Sequence, residues 1–304
     1  MAKIEFGTAL PGVTGIAEFA RTAEDLGYDY LGSGEHVMFY GPVGNTFVSL
    51  SVAAGATKKI KLLSSVVLLP LYPAAIVAKM GAALDVASGG RYNFGVGIGG
   101  EFPKEFEACG VPVNQRGART NEALEVITKL WTEKNVTFKG KFTTTNEVSI
   151  EPAPTQKPHP PIWVAGRKEP AMRRTAKYAN GWIPYMYTPE QLHESLESIK
   201  RFRKEYGRES VPFTPGLFIF TAVHADRDTA RQMANEKLSK QYNQDFSKLI
   251  DKYALAGTPE DCRKRLKEYT DAGATMVVTT SACPPNYVDE NTRMIAKEIM
   301  PAFR

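Results

Sequence analysis

The chain has 304 residues, 43% apolar and 23% charged, with a net charge of +5 at neutral pH. That length suits one barrel or a two-domain α/β enzyme, and the apolar share builds a large core without staples, which excludes disordered and small disulfide-framed classes. The positive charge is dispersed. Its two clusters, Lys58/Lys59/Lys61 and Lys200/Arg201/Arg203/Lys204, read as solvated faces with at most a weak pull on anionic ligands, and no nucleic-acid partner is expected without a long basic stripe.

Cys109, Cys262 and Cys283 are widely separated, and His36, His159, His193 and His224 show no ligand spacing. Reduced thiols, no metal and a cytoplasmic setting are expected. The opening MAKIEFGTALPG reads as a strand rather than a signal peptide. No apolar run approaches the ~20 residues that cross a bilayer, so no membrane association is expected.

Strand and helix patterns then alternate. IEFGTAL is a strand, and a helix capped at Thr14 carries Ile16, Phe19, Ala20, Ala23 and Leu26 on one face until Gly27 stops it. YDYLGSGEH is the second strand with its exit loop, followed by a helix near Thr46 to Lys58. KLLSSVVLLP is the third strand, Pro73 to Ser88 its crossover helix, and RYNFGVGIGG the fourth strand. A loop through Pro103 and Pro112 leads to the helix GARTNEALEVITKLW.

The alternation breaks over 135–160, where β-type composition and a Lys-Gly turn predict an inserted hairpin and an extended proline-rich segment. It resumes with PIWVAG, a helix from Glu169 to Ala179, the strand GWIPYMY and a helix from Pro189 to Tyr206. PFTPGLFIFTAV is the seventh strand. Two helical stretches ending near Ala256 follow, then a helix capped by Thr258 with Pro259 and Glu260, the strand ATMVVTTSA and a final helix. Eight strand–helix units in one domain spanning 1–304 predict an α/β fold, a TIM (β/α)8 barrel with an insertion at 135–160. An open doubly wound sheet is the runner-up.

In a barrel the site lies at the C-terminal ends of the strands. The candidates there are Glu35 and His36 after strand two, Ser64 and Ser65 in strand three, and Gly97, Ile98, Gly99, Gly100 and Glu101 after strand four. Ala165, Gly166, Arg167 and Lys168 follow strand five. Trp182 and Tyr185 sit on strand six, and Thr279, Thr280 and Ser281 end strand eight. His36, on a glycine-flanked loop, suits proton transfer or a hydrogen bond to a heteroaromatic ring. GVGIGG matches a dinucleotide fingerprint, but a loop through Pro103 follows it and the strand is the fourth, so a Rossmann site is rejected. Its glycines instead allow a ring or substrate close to the backbone. AGRKEPAMRR places a glycine, two cations and a helix start at a strand exit, which suits a phosphate. The TTSA exit of strand eight is a competing anion site.

Four segments carry a family resemblance: AEDLGYDYLGSGEH, SSVVLLPLYPAAIVAKMGAALDVASGGRYNFGVGIGG, VPVNQRGARTNEALEVITKLWTE and PPIWVAGRKEPAMRRTAKYANGW. Together they resemble the bacterial luciferase-like oxidoreductases, and QRGARTNEALEVITKLWT resembles the branch that uses coenzyme F420. The resemblance implies a deazaflavin or FMN ring over the barrel mouth and a phosphate near Gly166 and Arg167, although Arg167 stands where many relatives carry a small residue. It also implies a cis peptide at Ser65-Val66 behind the ring, and proton-handling roles for Glu35, His36 and Glu101. One extra glycine precedes Glu101 relative to the family pattern.

The expected activity is hydride transfer between coenzyme F420 and a small-molecule substrate. The alternative is an FMN-dependent monooxygenase fed by a partner reductase, and a non-catalytic ligand-binding barrel is the third reading. The resemblance suggests a homodimer through the early helices. Substrate contacts are expected from Met38 to Asn45, the 135–160 insertion and the segment after strand seven. Phe39, Tyr40, Phe47, Tyr185 and Tyr187 suit either an aromatic pocket or packing.

Overall fold

A computed structural model describes residues 3–304; Met1 and Ala2 of the opening segment lie outside it. The first half comprises β1 (Glu5–Ala9), α1 (Ile16–Asp25), β2 (Tyr30–Ser33), α2 (Thr46–Ala56), β3 (Lys61–Ser64) with its short continuation β4 (Val67–Leu68), α3 (Ala74–Ala87) and β5 (Tyr92–Gly97). Then come α4 (Pro103–Ala108), α5 (Arg116–Thr132), the hairpin β6 (Val136–Lys139) and β7 (Thr144–Val148), β8 (Ile162–Val164), α6 (Glu169–Tyr178) and β9 (Gly181–Trp182). The chain continues through α7 (Pro189–Glu205), β10 (Thr214–Val223), α8 (Arg227–Tyr242), α9 (Ile250–Tyr253), β11 (Ala254–Gly257), α10 (Pro259–Asp271), β12 (Met276–Ser281) and α11 (Val288–Met294).

Among the described residues, eight parallel strands close on themselves in the order β1, β2, β3, β5, β8, β9, β10, β12 and back to β1. Closure excludes the open doubly wound sheet, and the TIM barrel stands. β11 pairs with the far end of β10 from Phe220 to Val223. The antiparallel β6–β7 hairpin forms its own small sheet within the expected insertion.

The barrel interior follows the two-residue period of its strands. Ala9, Tyr30, Leu63, Trp163, Ile183, Met276 and Val278 pack together inside, with Val66, Ala165 and Phe218 partly buried above them. Alternate positions such as Phe6, Leu31, Leu62, Phe94, Val164 and Val277 face the helices. Trp163 is the largest of the interior side chains. Added Cβ atoms at Gly181 and Gly216 would press on its ring, so these glycines make its space. Its indole N–H donates to Asn93 Oδ1 at 3.3 Å, and Tyr30 meets it edge-on at 6.1 Å.

Three local expectations need correction. The first helix starts from Gly15 at φ 66° with no side-chain cap, so Thr14 does not cap it. The segment after GVGIGG is not a plain loop: Pro103, whose ring pre-sets a helical φ, opens α4. Residues Ala254–Gly257 form β11 rather than the end of a helix, because the long β10 leaves its last four residues needing a partner. The Thr258 cap is present, its hydroxyl accepting from the Asp261 amide at 3.2 Å. Trp163→Ala is expected to cost about 3–5 kcal/mol from the cavity it leaves, measured by urea denaturation.

Candidate active site

The loop after β2 is built around a carboxylate. Glu35 is buried and accepts hydrogen bonds from the Leu68 amide (3.0 Å), the Thr46 amide (3.2 Å), Asn45 Nδ2 (3.1 Å) and the Tyr72 hydroxyl (3.2 Å). Asn45 also caps α2, accepting from the Val48 amide. Burial pushes the Glu35 carboxyl above its ordinary range, against the pull of its donors. All these bonds are internal, and they brace the loop that carries His36.

His36 leaves that braced loop toward the mouth. Its Nδ1 lies 3.2 Å from both carboxylate oxygens of Glu105, a fully buried residue on α4 that also accepts from the Val37 amide. Its Nε2 lies 4.0 Å from Glu101, whose side chain is 43% exposed. Phe39 stacks on the imidazole with centroids 4.1 Å apart and planes at 17°. Partial burial pushes the Glu101 carboxyl up, opposed by the charges of His36 and Arg167. Tyr185 donates its hydroxyl to Glu101. Tyr242 stands close enough to feel both Glu101 and Arg167, and burial pushes its phenol up.

Glu105 escaped the sequence reading because it lies beyond a proline taken to mark a loop. The signal available was the helical spacing itself: Pro103 at a helix start places Glu105 in the first turn, four residues after Glu101.

The Ser65-Val66 peptide is cis, as the resemblance implied. Three glycines make room for this dipeptide. A Cβ at Gly32 would stand 2.8 Å from Ser65 Oγ, one at Gly34 3.1 Å from the Ser65 carbonyl, and one at Gly97 2.6 Å from Val66 Cγ2. Ser65 Oγ is buried and lacks a hydrogen-bond partner among the described residues. Ser64 differs: its hydroxyl accepts from the Gly95 amide at 2.8 Å and donates to the Gly95 carbonyl at 3.0 Å. It ties β3 to β5 and is fully buried, so it belongs to the wall and not to the mouth. Ile98, Gly99 and Gly100 are half-buried above Gly97. Gly99 and Gly100 take φ of 60° and 110°, packing on Phe106 and on the Arg116 guanidinium.

At the β8 exit, Ala165 is half-buried and Gly166 adopts φ 123°, a region that favours glycine. Trp182 is fully buried and donates to the Gly166 carbonyl at 3.0 Å, while the Tyr187 hydroxyl donates to the Arg167 carbonyl at 2.8 Å. Trp182 therefore buttresses the loop from behind. The Arg167 guanidinium lies 5.1 Å over the Tyr185 ring, turned across the mouth, while Lys168 stays exposed at the start of α6. Two cations that the sequence reading missed lie where α6 meets the start of α5. Arg174 is 5% exposed and bonds Asn121 Oδ1 (2.7 Å) and the Gly117 carbonyl (3.3 Å), with burial pulling its guanidinium down to about 10. Arg116 Nε is buried and unpartnered among the described residues.

The competing anion site at strand eight is already engaged. Thr279 donates to the Gly7 carbonyl at 3.1 Å, and the buried Asn291 donates to Ser281 Oγ and accepts from the Val223 amide. Phe47 and Tyr187 are buried in the core beneath the helices, so the packing reading holds for those two aromatics. Among the described residues no cluster suits a metal, and no helix is long and apolar enough to cross a membrane.

A family model described as luciferase-like monooxygenase matches residues 5–276. The chain belongs to this family. Among luciferase-like relatives, the FMNH2-dependent dimethylsulfone monooxygenase of Pseudomonas putida is 31% identical over 231 residues, covering 73% of this chain and 62% of that protein. The F420-dependent glucose-6-phosphate dehydrogenase of Microbacterium testaceum is 24% identical over 327 residues, covering 96% and 94%. The structure of an F420-dependent secondary alcohol dehydrogenase shares the fold, with a TM-score of 0.86, 21% identity and 99% coverage of both chains. This luciferase-like protein is thus an enzyme of a family whose members use F420 or FMN.

Glu35→Gln is expected to lower stability by about 1–3 kcal/mol, because an amide accepts at one oxygen only and leaves buried donors unmet. Equilibrium urea unfolding reads the change.

Proposed function

We propose that this enzyme moves a hydride between coenzyme F420 and a small organic substrate, with His36 handling the proton and Glu101 beside it. The observation that carries the reading is the setting of His36. A buried carboxylate, Glu105, holds one ring nitrogen, and the other faces Glu101 in an open mouth. A carboxylate on Nδ1 selects the tautomer that leaves Nε2 free to accept a proton and supports the imidazolium that results. Glu105 is a positioning residue.

The residues present fit a planar ring that ends in a phosphate. The Ser65-Val66 bulge, seated on its glycine cradle, would back the ring, and the orphaned Ser65 hydroxyl would find its partner there. Gly97, Ile98, Gly99 and Gly100 would form one wall. Gly166 and Lys168 at the start of α6 would take the phosphate, with Arg116 and Arg174 adding positive charge. Arg167, turned across the mouth, serves that end instead. The bound cofactor supplies the hydride, and the chain supplies orientation and the proton path.

The near end-to-end match to an F420-dependent relative favours this cofactor. The mouth agrees with it: exposed Glu101 beside Tyr185 and Arg167 is wet and charged, whereas protecting an oxygenated flavin needs a dry pocket. The 31% identity to an FMNH2-dependent relative supports the second reading, a monooxygenase fed by a partner reductase. Titration with each cofactor, followed by quenching of its fluorescence, separates the two. Micromolar binding of F420 is expected, and binding of FMN alone would move the assignment to the second reading.

His36→Ala is expected to lower turnover by about 10²–10⁴-fold, the usual worth of a positioned acid–base group, with F420 affinity unchanged. Glu105→Gln should also lower turnover at constant F420 affinity, and Glu105→Asp should restore part of it. Unchanged steady-state rates in these variants would remove the proton role.

We also infer a homodimer through the outward faces of α2 and α3, which leave Val48, Val52 and Ile76 at 64%, 43% and 53% exposure. Light scattering is expected to give twice the 33.5 kDa chain mass. Val48→Asp with Val52→Asp should give the monomer.

A further inference from the structure

The mouth holds a small polar centre between two aromatic groups. Glu101 is the link between them. On one side its neighbour His36 carries Phe39, and Phe102 closes on Phe39 at 6.4 Å and on Tyr40 at 5.2 Å with planes at 82°. On the other side Glu101 accepts from Tyr185, and Tyr242 packs edge-on against Phe220 at 6.0 Å. Tyr40 is 61% exposed, and Val37 and Met38 beside it are also open to solvent. Apolar side chains left exposed around a polar centre mark a surface that a ligand covers.

The charges in this centre narrow the ligand further. Glu101 and Glu105 are carboxylates flanking His36. The Arg167 guanidinium is stacked on Tyr185, whose hydroxyl binds Glu101, so its charge already faces a carboxylate. An acid or phosphate group placed at His36 Nε2 would enter directly beside the Glu101 carboxylate, and like charges at that range repel. A neutral oxygen meets no such opposition: a hydroxyl there donates to His36 Nε2, and a carbonyl there accepts from the imidazolium.

We propose that the substrate is an uncharged molecule with a flat, largely apolar body and one carbonyl or hydroxyl group, its body held between Phe39–Phe102 and Tyr185–Tyr242 and its oxygen at His36 Nε2. This deepens the reading above and rests on it for the identity of the site. Sugar phosphates and free acids are the wrong class for this mouth.

The test uses three probes of matched ring size: acetophenone, benzoate and phenyl phosphate. Binding is measured by calorimetry on the full chain, free and loaded with whichever of F420 or FMN it takes up. Acetophenone is expected to bind at least tenfold more tightly than either anion. Phe39→Ala and, separately, Phe102→Ala should weaken acetophenone at least tenfold, with circular dichroism confirming that each variant is folded. Equal or tighter binding of either anion overturns the proposal. So does the absence of acetophenone binding to both forms, or unchanged affinity in both folded variants. Cofactor affinity, measured separately on the same samples, distinguishes failure here from failure of the cofactor reading: F420 bound with acetophenone refused sinks only the substrate class.

Discussion

The mouth depends on one buried carboxylate that ties three elements together. Glu35 gathers donors from α2, from β4 and from the turn before α3. Two of those donors are backbone amides, at Thr46 and Leu68, so the chain positions themselves are fixed and not only side chains. Leu68 follows the Ser65-Val66 dipeptide by two residues, and His36 follows Glu35 by one. A single group therefore sets the spacing between His36 and the Ser65-Val66 dipeptide that joins β3 to β4. A buried charge is costly when a donor is lost, which makes the arrangement all-or-none.

Packing inside the barrel serves the same end from below. Trp163 fills the interior because Gly181 and Gly216 leave it room, and Ala165, two residues on, comes to the surface of that packed floor. Glycines at 32, 34 and 97 do the same for the Ser65-Val66 dipeptide. The glycine-rich run that resembles a nucleotide fingerprint is better explained by this neighbour: Gly97 is small because Val66 occupies the space a Cβ would take. Gly99 and Gly100 are there for their positive φ and for the contacts of Phe106 and Arg116.

Charge and apolar surface are divided within the mouth. The buried Glu105 holds Nδ1 of His36, while Nε2 faces the open Glu101 at 4.0 Å, so the two sides of the imidazole differ in solvent access. Two cations lie where α6 meets the start of α5: Arg116 and Arg174 face no carboxylate among their hydrogen-bond partners.

Much of this was legible along the chain. Eight strands, their order and the inserted hairpin followed from local pattern, because a two-residue period with turn residues at each end is written in consecutive positions. His36 and Glu101 were visible as polar residues at strand exits. The partners were not. Glu105 reaches His36 across 69 positions and Tyr185 reaches Glu101 across 84, distances in sequence that no local pattern encodes. For the same reason no local pattern shows that the polar atoms of Glu35, Ser64 and Trp182 bond neighbouring elements, or that the Arg167 guanidinium turns to Tyr185. The sequence by itself determined the alternating strands and helices and the strand ends, since these are written in consecutive positions, whereas closure of β1 on β12, with Glu5 beside Met276, is a long-range contact. Which polar groups remained free to act was decided only by the tertiary structure, since a hydrogen bond is settled by what folding brings within about 3 Å.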